Sequence, residues 1–193
     1  PAEGFFARLE ECLARKDPAA VPHWDGELYL EYHRGTYTSQ AQVKRANRQA
    51  EILYHDAEVA SALADVLAVE DLYPAADLRR GWERILLNQF HDILPGSSIH
   101  AVYEDCARDY CWVTELGEEA VAHAHGRLLR RLPAIGPSLV AWNSLAWERN
   151  DLAGLPWSEA LDSLQLLDAE GRPLARQVVA GDDGEPRLLW ALP

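Results

Sequence analysis

The sequence predicts a mainly α protein: an antiparallel three-helix bundle over residues 39–132, followed by a partial antiparallel β domain. Three observations carry that prediction. Apolar residues recur at three- and four-residue spacing through three long stretches, each ended by a proline-containing break at Pro74, Pro95 or Pro133. Connections this short between long amphipathic helices favour antiparallel neighbours. Beyond residue 138 the pattern changes to short β-prone runs separated by turn residues.

The chain divides accordingly into 1–38, 39–132 and 138–193. In the first segment Phe5, Phe6, Leu9 and Leu13 fall on one helical face, and Asp17-Pro18 ends the helix. Leu28 and Leu30 alternate with Glu27, Tyr29 and Glu31, so this stretch is expected to be extended, with a turn at Gly35.

Ser39, with Gln42 three residues on, has the form of a capping box. The helix it opens carries Val43, Ala46, Ala50, Leu53, Ala57, Ala60, Ala64 and Leu67 along one stripe. The cluster Lys44, Arg45, Asn47 and Arg48 reads as its solvated face. Pro74 suits the first turn of the second helix, which presents Leu78, Trp82, Ile85, Leu86 and Gln89. Pro95 biases Leu94 out of the helical region, so that helix should end between Phe90 and Ile93, with His91 and Asp92 near its last turn. A third helix from near Ser98 passes through Val102, Cys106, Val113, Leu116, Ala120 and Leu128 to a basic end at Arg127, Arg130 and Arg131.

After the linker at 133–138, a strand and turn are expected at Leu139–Trp147 and strands at Leu164–Leu167, Gln177–Val179 and Leu188–Trp190, with a turn at Asp168–Arg172. Fifty-five or so residues are too few to close a sandwich, which predicts a free sheet edge or an intermolecular pairing.

A formal charge of −13, from 18 basic against 31 acidic residues, argues against a nucleic-acid partner. No apolar run is long enough to span a bilayer, and no secretory signal pattern opens the sequence. Three cysteines, Cys12, Cys106 and Cys111, suit a reducing compartment, so the expected location is cytoplasmic. The absence of methionine and the strand-like run at the C-terminus suggest a chain excised from a longer protein.

From the residues alone, His91 reads as a structural or helix-capping histidine beside a carboxylate, the couple of a non-catalytic helical interaction module. The other pairs are weaker. His123 and His125 lie on nearly opposite helix faces, Cys106 and Cys111 lack zinc-knuckle spacing, and His55-Asp56 reads as a surface pair. Glycine-rich phosphate loops and a Gly-x-Ser-x-Gly nucleophile turn are absent.

Two runs in order, GELYLEYHRGTYTSQ at 26–40 and NQFHDILPGSSI at 88–99, resemble the bacterial and lysosomal-type α-mannosidases of glycoside hydrolase family 38. The resemblance implies a retaining α-mannosidase acting on α-linked mannosides or mannose-containing oligosaccharides. Its divalent metal, usually zinc, would be held by one His and two carboxylates of an N-terminal barrel and by a second His from the helical domain. That second His maps to His91, and Asp92 to a residue binding sugar hydroxyls. Residues 1–38 would be the tail of that barrel and a crossing segment, and 138–193 the truncated start of the C-terminal β-sandwich that follows the bundle, an incomplete β-sandwich. Both catalytic carboxylates, which a retaining mechanism needs about 5 Å apart, would lie in the barrel, so no catalytic residue is assigned here. One imidazole and one carboxylate do not make a tetrahedral zinc site, so the chain by itself is expected to be inactive and to bind no zinc tightly.

Overall fold

The computed structural model describes residues 2–28, 31–68, 72–133, 138–181 and 184–192. It is mainly helical with a small antiparallel sheet: α1 Ala2–Ala14, α2 Ala41–Ala68, α3 Ala75–Asn88 and α4 His100–Leu129, then β1 Asp151–Pro156, β2 Arg176–Ala180 and β3 Pro186–Leu192. The described residues fall into two compact units, one of Pro1–Glu51 and Arg80–Thr114, the other of Ile52–Arg79 and Glu115–Pro193. Each of α2, α3 and α4 contributes residues to both.

The buried positions of α4 are Tyr103, Cys106, Tyr110, Val113, Gly117, Ala120, Ala124 and Arg127, stepping by alternate threes and fours along the whole helix. That 3.5-residue period keeps one seam turned inward over many turns. On α2 the inward residues are Val43, Asn47, Ala50, Tyr54, Ala57, Ala60, Ser61 and Ala64, and on α3 Leu78, Gly81, Ile85 and Asn88. The expected stripes were therefore right in period but displaced in places. Leu86 is exposed while Asn88 is buried, and Tyr54, Tyr110 and Arg127 occupy seam positions that apolarity alone did not mark.

In the first unit, Tyr110 Oη donates to Asn47 Oδ1 at 3.3 Å, and Asn47 Nδ2 donates to Glu51 Oε1 at 2.9 Å. Gln89 Nε2 donates to both of those acceptors, at 3.1 and 2.9 Å. Asn88 Nδ2 donates to Asp109 Oδ2 at 3.2 Å, and its own Oδ1 accepts from the buried Cys106 thiol at 3.3 Å. Burial pushes the Cys106 thiol and the Tyr110 phenol up, with nearby carboxylates adding to it. The cluster Lys44–Arg48 is thus not one solvated face: Asn47 is buried in this network, and only Arg45 and Arg48 are exposed on either side of it.

In the second unit the interior is alanine-rich. Ala60, Ala64 and Ala124 pack together with Leu128 against them. A Cβ on Gly117 would lie 2.8 Å from Leu53 Cδ2 and 3.0 Å from Tyr54 Cε2, so this position on α4 requires glycine for the approach of α2. The Arg127 side chain is 1% exposed, and its Nη2 lies 2.6 Å from Asp65 Oδ1. Asp65 also accepts from the backbone N–H groups of Leu72 and Tyr73, at 3.2 and 3.1 Å, tying the residues just before α3 to the end of α2. The Arg127 hydrogen bond, ahead of these two, holds the Asp65 carboxyl below the usual carboxylate range.

The sheet has the order β1-β3-β2, both pairs antiparallel, with Leu188 and Trp190 of β3 buried. The strands expected at Gln177–Val179 and Leu188–Trp190 lie in β2 and β3, and Asp168–Arg172 is a turn in which Asp168 Oδ1 accepts from the Arg172 N–H at 2.8 Å. Two expectations differ. Of the strand and turn expected at Leu139–Trp147 only the turn forms, at Asn143, whose Oδ1 accepts from Leu145 N and whose Nδ2 donates to Trp147 O. Leu164–Leu167 contributes only a single bridge between Leu167 and Pro173. Conversely β1 was not read, because Gly154 and Pro156 are poor strand residues. Gly154 sits opposite Leu189, whose Cδ2 would be 2.5 Å from an added Cβ, so the cross-strand leucine fills the space.

None of α1 is buried, and Phe5 and Phe6 meet edge to face at 5.4 Å on its surface. Of the stretch expected to be extended, Tyr29 and Leu30 lie outside the described residues. Of that stretch only Glu31 enters the 3₁₀ turns of Glu31–Tyr37, which break at His33, hold Thr36 Oγ1 donating to His33 O at 2.8 Å, and include the turn expected at Gly35, whose carbonyl accepts from Thr38 and Ser39 N–H. The Ser39 capping box also gives way. Gln40 has φ 52° and the helix begins only at Ala41, leaving the Ser39 carbonyl free to face another partner.

Candidate functional site

Helix α3 stops at Asn88, earlier than the position of Pro95 suggested, because its hydrogen-bond ladder tightens there. Gln89 N–H is shared between Ile85 O and Leu86 O, and Phe90 N–H turns to Leu87 O at 3.2 Å. Shared and three-residue bonds are the usual way a helix end winds down. His91 and Asp92 consequently lie beyond the last turn of α3, in successive turns in which Ile93 and Leu94 N–H both reach Phe90 O and Gly96 N–H reaches Ile93 O.

This loop projects the couple outward. The His91 side chain is 76% and that of Asp92 61% exposed, with Nε2 and Oδ2 3.4 Å apart. The imidazole leans on the Phe90 ring, centroid to centroid 4.3 Å. Asp92 is anchored from its other side: Ser97 Oγ donates to Oδ1 at 3.2 Å, and Ser98 Oγ donates to the Asp92 carbonyl at 2.6 Å. Ser98 N–H in turn donates to Tyr103 Oη at 2.8 Å, joining the loop to the first turn of α4. One carboxylate oxygen is thus held by the loop's own serine while the other stays beside the imidazole, so both polar groups face outward together.

The two residues singled out from sequence are therefore adjacent and accessible. Sequence reasoning passed over what fixes them: Ser97, Ser98 and Tyr103, and Lys44, which reaches the same loop from α2. The serines were already visible in the run that contains His91. Lys44 carried no such signal, being one of several basic residues at the start of a helix.

His55 and Asp56 provide a comparison: Nδ1 and Oδ1 are 3.2 Å apart on the surface of α2, as the surface-pair reading expected. Among the described residues no group of three or more His, Cys, Asp or Glu side chains converges to hold a metal. By themselves His91 and Asp92 offer one imidazole and one carboxylate, too few donors for a tetrahedral metal site. No disulfide joins the three cysteines, and no helix among the described residues is long and apolar enough to cross a membrane.

A family model described as alpha mannosidase middle domain matches residues 31–128, just over half of the chain and all of the site. The alpha-mannosidase 2C1 of Mus musculus is 40% identical over 164 residues, covering 84% of this chain and 15% of that protein. The alpha-mannosidase of Saccharomyces cerevisiae is 52% identical over 85 residues, 44% of this chain and 8% of that one. Among solved structures, a protein in the glycosyl hydrolase family 38 from Enterococcus faecalis superposes with a TM-score of 0.63 at 17% identity, over 97% of this chain and 25% of that one. The last likeness is one of fold, while the matched model carries kinship: the chain belongs to the alpha-mannosidase family, through its middle domain.

Proposed function

We propose that this chain serves in a retaining α-mannosidase that hydrolyses α-linked mannosides, with His91 supplying one ligand to a divalent metal and Asp92 binding hydroxyls of the sugar. The observation that carries the reading is the outward-facing His91–Asp92 couple, inside the region matched by the family model and locked from behind by Ser97 and Ser98. The chain spans only 15% of the length of its mammalian relative, which leaves room for the remaining metal ligands and both catalytic carboxylates in an N-terminal barrel.

Residues 1–38 are then the tail of that barrel and a crossing segment, 39–132 the antiparallel three-helix bundle, and 138–193 the start of a β-sandwich. Contacts within the first unit support antiparallel packing of α3 and α4: along α3 Arg80, Arg84 and Asn88 meet Trp112, Asp109 and Cys106 in reverse order along α4. The unjoined cysteines are consistent with a cytoplasmic location.

When bound, a zinc ion would orient the hydroxyls of the reacting mannose and offset charge developing towards an oxocarbenium-like transition state. The part of this chain is to present the His91 imidazole and to keep the Asp92 carboxylate, steadied by Ser97, turned towards the sugar. Hydrolysis of an α-mannoside chromogen by the intact polypeptide that carries this chain, with and without chelator, tests the reading. Activity should be lost with chelator, restored by zinc and abolished in His91→Ala, whereas Asp92→Asn should chiefly raise KM. Turnover by the 193-residue chain alone, or a fully active His91→Ala enzyme, would contradict it.

A further inference from the structure

We infer that Lys44 is a positioning residue for the His91–Asp92 loop, an inference that rests on the metal-ligand reading of His91. Its ammonium donates to the carbonyl of Ser39 at 2.5 Å and to that of Leu94 at 2.8 Å, spanning fifty residues of sequence. Both acceptors are backbone oxygens in irregular segments, where no ladder would otherwise satisfy them, so a single cation pins two loops at once.

The Ser39 carbonyl is made available by the turn before α2. Ser39 N–H donates to Gly35 O at 2.7 Å, and the positive φ of Gln40 turns the chain into the helix. Leu94 lies between Asp92 and Gly96, so holding its carbonyl fixes the middle of the loop that projects the imidazole.

A second contact joins the same two segments without using charge. Gly96 has φ +90°, and a Cβ there would lie 2.7 Å from Ser39 Cβ and 2.8 Å from Ser39 O. The site loop is therefore seated directly on the Ser39 turn, and only glycine permits that approach. Lys44 ties the two backbones together where Gly96 lets them touch. The burial this requires pulls the Lys44 ammonium below its usual value, in keeping with a cation withdrawn from solvent to serve backbone oxygens.

The role is indirect, since Lys44 touches neither sugar nor metal, and it belongs with the supporting groups that orient a ligand and typically change metal affinity by about 10- to 100-fold when removed. Lys44→Met in the intact polypeptide should raise the zinc Kd, measured by chelator competition, about tenfold or more. The same substitution should speed hydrogen exchange at the Ile93, Leu94 and Gly96 amides while leaving amides of the α4 seam protected. Lys44→Arg, able to reach both carbonyls, should restore zinc affinity to within about threefold. Lys44→Gln, which can serve one carbonyl without charge, should fall between them and covers the case in which the methionine variant does not fold. A zinc Kd unchanged in both Lys44→Met and Lys44→Gln overturns the inference, as does weakened affinity accompanied by equal loss of protection along α4. If His91→Ala leaves zinc affinity intact, it is the ligand assignment that fails, and the Lys44 inference falls with it.

Discussion

The two units solve the same packing problem with different chemistry. In the first, polar groups are set among the apolar ones of the seam: Asn47, Glu51, Gln89 and Tyr110 exchange hydrogen bonds, and separately Asn88 bonds to Asp109 and the Cys106 thiol. In the second, alanines and Gly117 bring α2 and α4 together, and polarity is concentrated in the Asp65–Arg127 pair. A satisfied polar network admits few alternative registers, because a slipped helix strands several donors at once. An alanine seam holds by close approach and is less particular about register. The unit that carries the His91 loop is thus the one with hydrogen bonds between its helices to set register, as the proposed site, completed by groups from elsewhere, would require.

The largest effect should come from cutting the polar network. Asn88→Ala removes the acceptor for Cys106 and a donor to Asp109, and should cost about 1–3 kcal/mol in urea unfolding. A cost near zero would mean that the network contributes no more than an apolar seam. Gly117→Ala probes the other unit: helix propensity favours alanine by about 1 kcal/mol, but the clash with Leu53 and Tyr54 should outweigh it and leave a net loss of about 1 kcal/mol. A stabilised Gly117→Ala would show that the seam has slack.

The ion pair gives a pH signature. The Asp65 carboxyl is lowered from its ordinary 3.8, so its contribution is fully present above that value and is lost as pH falls through the folded-state pKa. The stability difference between wild type and Asp65→Asn should be flat from neutral pH down to about 5 and shrink steadily below about 4. A difference that does not change on acidification would remove Asp65 from the account. The smallest effect is expected at Ser61, whose buried Oγ has no hydrogen-bond partner. Ser61→Ala should leave stability unchanged or raise it by up to about 1 kcal/mol, opposite in sign to Asn88→Ala. If both substitutions destabilise equally, the contrast between the units is void.

Helix positions and the His91–Asp92 couple were legible in the sequence because apolar spacing and proline breaks act locally. The exact seam was not, since Tyr54, Asn88, Tyr110 and Arg127 are buried by virtue of partners that only the fold brings near. The end of α3 was misplaced for a related reason: Pro95 bars a helix from continuing, but the turns from Gln89 onward had already ended it. Strand β1 escaped notice because Gly154 is there to admit Leu189 from the neighbouring strand, a requirement invisible along one strand. Lys44 was misread as a solvated charge, because its two carbonyl partners belong to loops whose shape no periodicity encodes.

The account turns on the accessible imidazole of His91 as a contributed metal ligand, and the His55–Asp56 pair is its natural control, with a similar nitrogen–oxygen separation and no loop behind it. The most direct measurement is the zinc Kd of the intact polypeptide carrying His91→Ala or His55→Ala, by chelator competition at constant pH. The account predicts weakening of at least tenfold for His91→Ala and none for His55→Ala, and equal affinity in the two variants would contradict it.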